Sequence, residues 1–161
     1  MPKDDRDLIF ICYSRADNEN PDFRRLLERQ IQAVNLAQSG RLKLRSFADT
    51  QIKPGVRWLE EIRTALARTR VAAILEGPGL MASEFVQRNE LPTFLKAVQG
   101  GAGVTIFRIP VRHVSQYQVP DELKAFQAAW PLDRPLASLT GPQRDAAMAT
   151  IVDKLVEAYL S

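Results

Sequence analysis

Four short apolar runs recur along the chain with an amphipathic stretch between each pair, and this alternation constrains the fold more than any other feature. Residues 8–13 (LIFICY) are β-branched and aromatic, follow a charged leader and stop at Ser14, the pattern of a strand covered on both faces. Leu42, Leu44 and Phe47 mark a second, shorter strand, 71–75 (VAAIL) a third and 104–109 (VTIFRI) a fourth. After the first strand, Asn20 predicts an N-cap with Pro21 in the first turn, and Phe23, Leu26, Leu27, Ile31 and Val34 then repeat at helical spacing as far as Gly40. A second helix from Val56 carries Trp58, Leu59, Ile62, Ala65 and Leu66 on one stripe, with Glu60 and Glu61 early and Arg68 and Arg70 late, in keeping with the helix dipole. A third, near 83–98, contains Pro92, which predicts a kink. Strands joined by helical crossovers pair in parallel with helices on both faces, so the expected fold class is α/β, a doubly wound parallel sheet.

Beyond Pro110 the pattern weakens through Pro120, Pro131, Pro135 and Pro142, with one short helix expected near 121–129. A last amphipathic helix at about 142–160 presents Met148, Ile151, Val152, Leu155, Val156 and Tyr159 to the sheet. No repeat or low-complexity run divides the 161 residues, so 1–161 reads as a single domain with its core at about 7–114 and a C-terminal extension. A domain of this length buries roughly 70% of its unfolded surface and needs no staple. One cysteine, Cys12, and one histidine, His113, build neither a disulfide framework nor a four-ligand zinc site; Cys12 reads as an apolar filler. No apolar run approaches the roughly 18 residues that cross a bilayer, and the first seven residues are charged where a signal peptide would turn apolar. The expected location is therefore cytoplasmic, with no membrane partner. The charge of +3 comes from 22 basic against 19 acidic residues spread along the chain, so nucleic acid is not an expected partner.

In open α/β sheets ligands bind outside the carboxyl ends of the strands, which directs attention to 14–20, 48–56, 76–83 and the loop after Ile109. No glycine-rich turn ends in Gly-Lys-Ser/Thr, so P-loop nucleotide chemistry is excluded. A phospho-acceptor receiver needs carboxylates at the ends of the first and third strands; Tyr13-Ser14 and Leu75-Glu76 offer one. Gly77-Pro-Gly79-Leu-Met-Ala82 fits the dinucleotide fingerprint, but it follows the third strand and no acid ends the next strand, so it reads as a tight turn with glycine at positive φ. A lone carboxylate suits one other reaction, cleavage of an N-glycosidic bond whose leaving group is already cationic and departs without a proton. Glu90 fits that task, four residues after Val86 and four before Phe94 on one helix face. The alternative is that Glu90 sits at the edge of the stripe and pairs with Arg88 or Arg57.

The segments LIFICYSRADNE (8–19), RSFADTQIKPGVRWLEEIRTAL (45–66) and ASEFVQRNEL (82–91) resemble, in order and spacing, the three conserved boxes of a TIR (Toll/interleukin-1 receptor) domain of bacterial type. The resemblance covers 7 to about 114 closely, and FQAAWPLDRPLASL (126–139) before the last helix is similar to the end of such domains. It implies a flavodoxin-like fold with strand order B-A-C-D-E, strand E being short and in the proline-rich stretch. Many bacterial members cleave NAD+ to nicotinamide and ADP-ribose or a cyclic ADP-ribose isomer, often in antiphage defence; NAD+ is then the substrate and no separate cofactor is implied.

The family's catalytic glutamate stands in a Ser-x-aromatic-x-x-x-x-Glu-Leu setting that falls on Glu90, with Ser83, Phe85 and Leu91 completing it. Glu84 lies on another part of the helix. Val86 stands where many active relatives carry an aromatic, and Phe85 is the substitute stacking surface. The resemblance further implies that Tyr13, Ser14, Arg15 and Asp17 line the cleft, Arg15 meeting the pyrophosphate, and that Phe47, Asp49 and Trp58 meet the nicotinamide riboside. A solvated loop and a core tryptophan are the plainer readings of those positions. The loop 48–56 corresponds to one that mediates self-association and gates the cleft, and a fused or separate sensor domain is an implied partner. The alternative function is a non-catalytic adaptor acting through contacts between TIR domains.

Overall fold

The computed structural model describes residues 5–48 and 58–161, the side chain of Trp58 excepted. Strands β1 (Leu8–Cys12), β2 (Arg45–Phe47), β3 (Thr69–Glu76) and β4 (Thr105–Pro110) form one all-parallel sheet in the order β2-β1-β3-β4. Alternate residues of the two central strands face opposite layers, as a period of two requires. Ile9, Ile11, Val71 and Ala73 join one core, and Phe10, Cys12, Ala72 and Ile74 the other. The chain thus has the doubly wound parallel α/β fold expected from the alternation, and its sheet is consistent with the flavodoxin-like fold that the resemblance implies.

A fifth strand does not form among the described residues, which corrects the expected order. In its place Arg108 and Ala128 make an isolated parallel bridge, with Arg108 N–H donating to the Gln127 carbonyl and Ala129 N–H to the Arg108 carbonyl. Pro131 follows two residues later, without an N–H to extend a ladder.

Helix α1 (Phe23–Gln38) is capped by Asp22, whose side chain accepts from Arg25 N–H at 3.0 Å, and ends at Ser39 in the left-handed region, with Gly40 following at φ 86°. The cap is therefore Asp22 and not Asn20: the Asp22 carboxylate is the group within reach of the free amides, and its charge suits the positive helix end. Helix α2 (Trp58–Ala67) buries Ile62, Ala65 and Leu66; its expected first turn from Val56 lies outside the described residues. A single turn, α3 (Pro78–Met81), was not expected and follows β3 directly.

The next helix begins at Glu84 and Phe85, widens into a π-helical segment, Val86–Glu90, and continues as α4 (Leu91–Gln99). Pro92 explains the widened turn. It has no N–H, and in a regular helix its ring would press on the Arg88 carbonyl four residues back. Leu91 N–H instead reaches Val86, five residues back, so the expected kink takes the form of an extra residue in one turn. Helix α5 (Asp121–Lys124) is shorter than the expected 121–129, because the chain beyond it is drawn into the bridge at Ala128. Helix α6 (Gly141–Leu160) starts at a reciprocal cap between Thr140 and Gln143 and packs Met148, Ile151, Val152, Leu155 and Tyr159 beside α1 on the first core. Helices α2 and α4 cover the second core. No described helix is long and apolar enough to cross a membrane.

Candidate functional site

The carboxyl ends of β1, β3 and β4 lie at one edge of the sheet, and the residues that follow them meet there. Glu90 is 1% exposed, and its Oε2 accepts from the Cys12 thiol at 3.5 Å. The π segment therefore brings a carboxylate from the helix after β3 to the end of β1, into the core that holds Phe10, Val86, Leu91 and Phe94. A carboxylate in such surroundings is tolerated only with hydrogen-bond partners, and one partner here is a weak thiol donor. Val86 and Phe94 are buried with it, whereas Glu84 and Arg88 are exposed. Of the two glutamates in the third sequence box, Glu90 faces inward. Arg57, a candidate partner in the plainer reading, lies outside the described residues.

Phe47 is half-buried at the end of β2, its ring 5.2 Å from Phe10, which stands edge-on to Phe94 at 5.3 Å. These three rings link β2, β1 and α4. Ser83 accepts from Val86 N–H at 3.3 Å and so starts the helix that carries Glu90, while Phe85 is half-buried against the same core. Asp49, the segment 49–57 and the Trp58 side chain lie outside the described residues.

Tyr13 is buried, with the Arg24 guanidinium 5.3 Å over its ring. Burial alone would lower the Arg24 pKa; Glu28 and Asp22, at 3.0 and 3.2 Å, more than offset it and hold the cation above its ordinary value. Tyr13, Arg15, Asn18 and Arg24 line a polar cavity of about 560 Å³ in which Arg15 is exposed. Ser14 turns its carbonyl to Asn18 Nδ2 at 2.8 Å.

Asp17 is placed differently from what the resemblance implies. Its carboxylate is buried and accepts from the N–H groups of Gly79 at 2.8 Å and Leu80 at 2.7 Å, tying the loop after β1 to α3. A Cβ on Gly77 would lie 2.4 Å from Asp17 Cγ, and one on Gly79 would lie 2.6 Å from Ser14 Oγ. This corrects the expected reason for the glycines. Gly77 is extended at φ −165°, and neither it nor Gly79 is at positive φ; both are needed because Asp17 and Ser14 approach so closely. The amides that a pyrophosphate would occupy in a dinucleotide fingerprint hold Asp17 instead.

One cluster at this edge was not foreseen. Glu76, the last residue of β3, accepts from Arg108 Nε at 2.5 Å and Nη2 at 3.2 Å, and the two side chains are 2% and 8% exposed. Pairing of Ile74 with Arg108 and Glu76 with Pro110 sets both side chains on the same face, two positions apart. Arg112, just beyond β4, donates from Nε to the Asp17 carbonyl at 2.8 Å and from Nη2 to the Glu19 carbonyl at 3.0 Å, and lies 5.8 Å over the Phe23 ring. Among the described residues no group of three His, Cys, Asp or Glu side chains converges as a metal site. No protein-family model matches the chain, and no curated protein matches it.

Proposed function

We propose that this chain is a TIR domain that cleaves NAD+ at the nicotinamide–ribose bond, with Glu90 as its catalytic carboxylate. The observation that supports it best is the buried Glu90 carboxylate, delivered by a π turn to the end of β1 beside Phe10 and Phe94. Chemically, one carboxylate suffices. The C1′–N bond breaks with its electron pair going to the pyridinium nitrogen, so nicotinamide leaves neutral and the ribose becomes an oxocarbenium ion. Glu90 accepts a hydrogen bond from a ribose hydroxyl and opposes that positive charge, in apolar surroundings where such opposition is stronger than in water. Water then adds at C1′ and loses its proton to give ADP-ribose, or an adenine nitrogen adds to give a cyclic isomer. Arg15, exposed on the cavity that also holds Tyr13, supplies a cation for the pyrophosphate.

At 1% exposure Glu90 meets a ribose only after neighbouring side chains part. Self-association through the loop 48–56, driven by a fused or separate sensor, would supply that step, and antiphage defence in the cytoplasm is the setting the reading implies. The Cys12 contact favours a second reading, in which Glu90 is structural and the domain is an adaptor. Chromatography of nicotinamide released from NAD+, over a range of protein concentrations and with Glu90→Gln alongside, separates the two. Release that rises faster than linearly and vanishes in the variant is the expected result; no release from folded protein at any concentration leaves the adaptor.

A further inference from the structure

Beyond the end of β4 the chain turns through 111–120 into α5 and leaves a cavity of about 360 Å³, with Glu76 and Arg108 as its buried charged residues. Small-molecule sites begin at roughly 300 Å³. A buried ion pair is generally no more stabilising than apolar side chains of the same volume, so its presence calls for another reason. Geometry suggests one. Arg108 gives Nε and Nη2 to Glu76, and among the described residues nothing accepts from its Nη1. Glu76 thus cancels the charge while fixing the guanidinium with one nitrogen left over.

The other cations on the wall are not cancelled in that way. Arg112 donates to two carbonyls, and no described carboxylate forms an ion pair with it. Lys124 is 3.4 Å from Asp121, whose side chain is 95% exposed, a pairing that water and salt screen. The remaining charge matches a dianion. Val114, Val119 and the partly exposed Leu132 line the same space and can cover an uncharged body.

We infer that this cavity binds a small phosphomonoester, with its phosphate against Arg108 Nη1, Arg112 and Lys124 and its organic body over Val114 and Leu132. The site is separate from Glu90 and does not depend on NAD+ cleavage. Adenosine 5′-monophosphate and inorganic phosphate, titrated separately into the 15N-labelled chain and followed by amide and Arg Nε–H shifts, provide the test. Saturable shifts confined to 111–114, Lys124 and the Arg108 Nε–H are expected with both, and tighter binding of the nucleotide. Arg112→Gln should weaken binding about tenfold and the exposed Lys124→Ala about threefold, while Glu90→Gln leaves it unchanged. Lys124→Ala carries the test if Arg112→Gln disturbs the loop that Arg112 ties. Binding of phosphate alone supports the anion subsite and excludes a nucleoside body. The inference is overturned by no saturable shifts with either probe, by shifts that are equal in Lys124→Ala and the parent, or by loss of binding in Glu90→Gln, which would put the anion in the other cleft.

Discussion

Two junctions at the carboxyl edge of the sheet bury a carboxylate, and they close differently. Between β1 and β3, Asp17 takes two backbone N–H groups, with Gly77 and Gly79 packed so closely that no Cβ fits. Between β3 and β4, Glu76 takes a side-chain guanidinium, and a cavity remains beside it. Backbone donors are fixed in place and have one hydrogen each, so a carboxylate that satisfies them fills the space in front of them. A guanidinium has five hydrogens on a long stem, so one carboxylate leaves donors free and keeps the backbones apart. The first junction is the switch point where an open α/β sheet ordinarily receives its ligand, and this chain seals it with its own side chain. That leaves open space at the Tyr13 side and at the end of β4, whereas the proposed reaction at Glu90 needs neighbouring side chains to part.

The strongest perturbation of the comparison is at the second junction. Arg108→Met leaves Glu76 buried without its counter-charge, and urea denaturation should show a loss of about 3–5 kcal/mol. Adding Glu76→Leu should recover most of it. A double variant no more stable than the single one would mean that the pair is not what closes this end. At the first junction, Asp17→Ala removes the acceptor for two N–H groups, and the expected loss is about 2–3 kcal/mol by the same measurement. Asp17→Asn, which keeps one acceptor oxygen, should lose less.

The close approach at Gly77 makes a finer test. Gly77→Ala alone should cost about 1–3 kcal/mol, because its Cβ meets the Asp17 carboxylate, and close to nothing once Asp17 is alanine. A double-mutant cycle should therefore show a coupling of at least about 1 kcal/mol, opposite in sign to the single losses. Additive losses would show that the glycine serves its own backbone and not Asp17.

What the sequence disclosed follows from the range of each interaction. The strands at 8–13 and 71–75 and the stripe of α6 were legible because burial on both faces, or at helical spacing, writes itself into consecutive residues. The inward setting of Glu90 between Val86 and Phe94 was legible for the same reason. The Asp17 tie and the Glu76–Arg108 pair span 62 and 32 residues, and neither exists until strand register is fixed. A glycine needed for another residue's approach looks in sequence like a glycine needed for its own turn, so Gly77 and Gly79 read as turn glycines although Asp17 and Ser14 are what require them. The fifth strand failed for a local cause that the sequence does carry, Pro131, but its weight against the bridge at Ala128 depends on how β4 is placed.

The smallest effect on stability belongs to the helix that leaves the sealed junction and carries Glu90. Pro92→Ala restores an N–H and removes the clash with the Arg88 carbonyl, so the π turn is no longer required, and the thermal midpoint should move by no more than the equivalent of about 1 kcal/mol. If the segment relaxes to a regular helix it loses one residue from that turn, and Glu90, with α4, rotates by about 100° relative to the start of the helix held at Ser83. It then leaves Cys12 and the aromatic core. Nicotinamide release should accordingly fall about tenfold or more while the fold is unchanged, a separation that a merely stabilising proline does not produce. Unchanged release would mean that Ser83 and the packing of Val86 aim the carboxylate by themselves, and that the π turn accommodates a proline without serving the site.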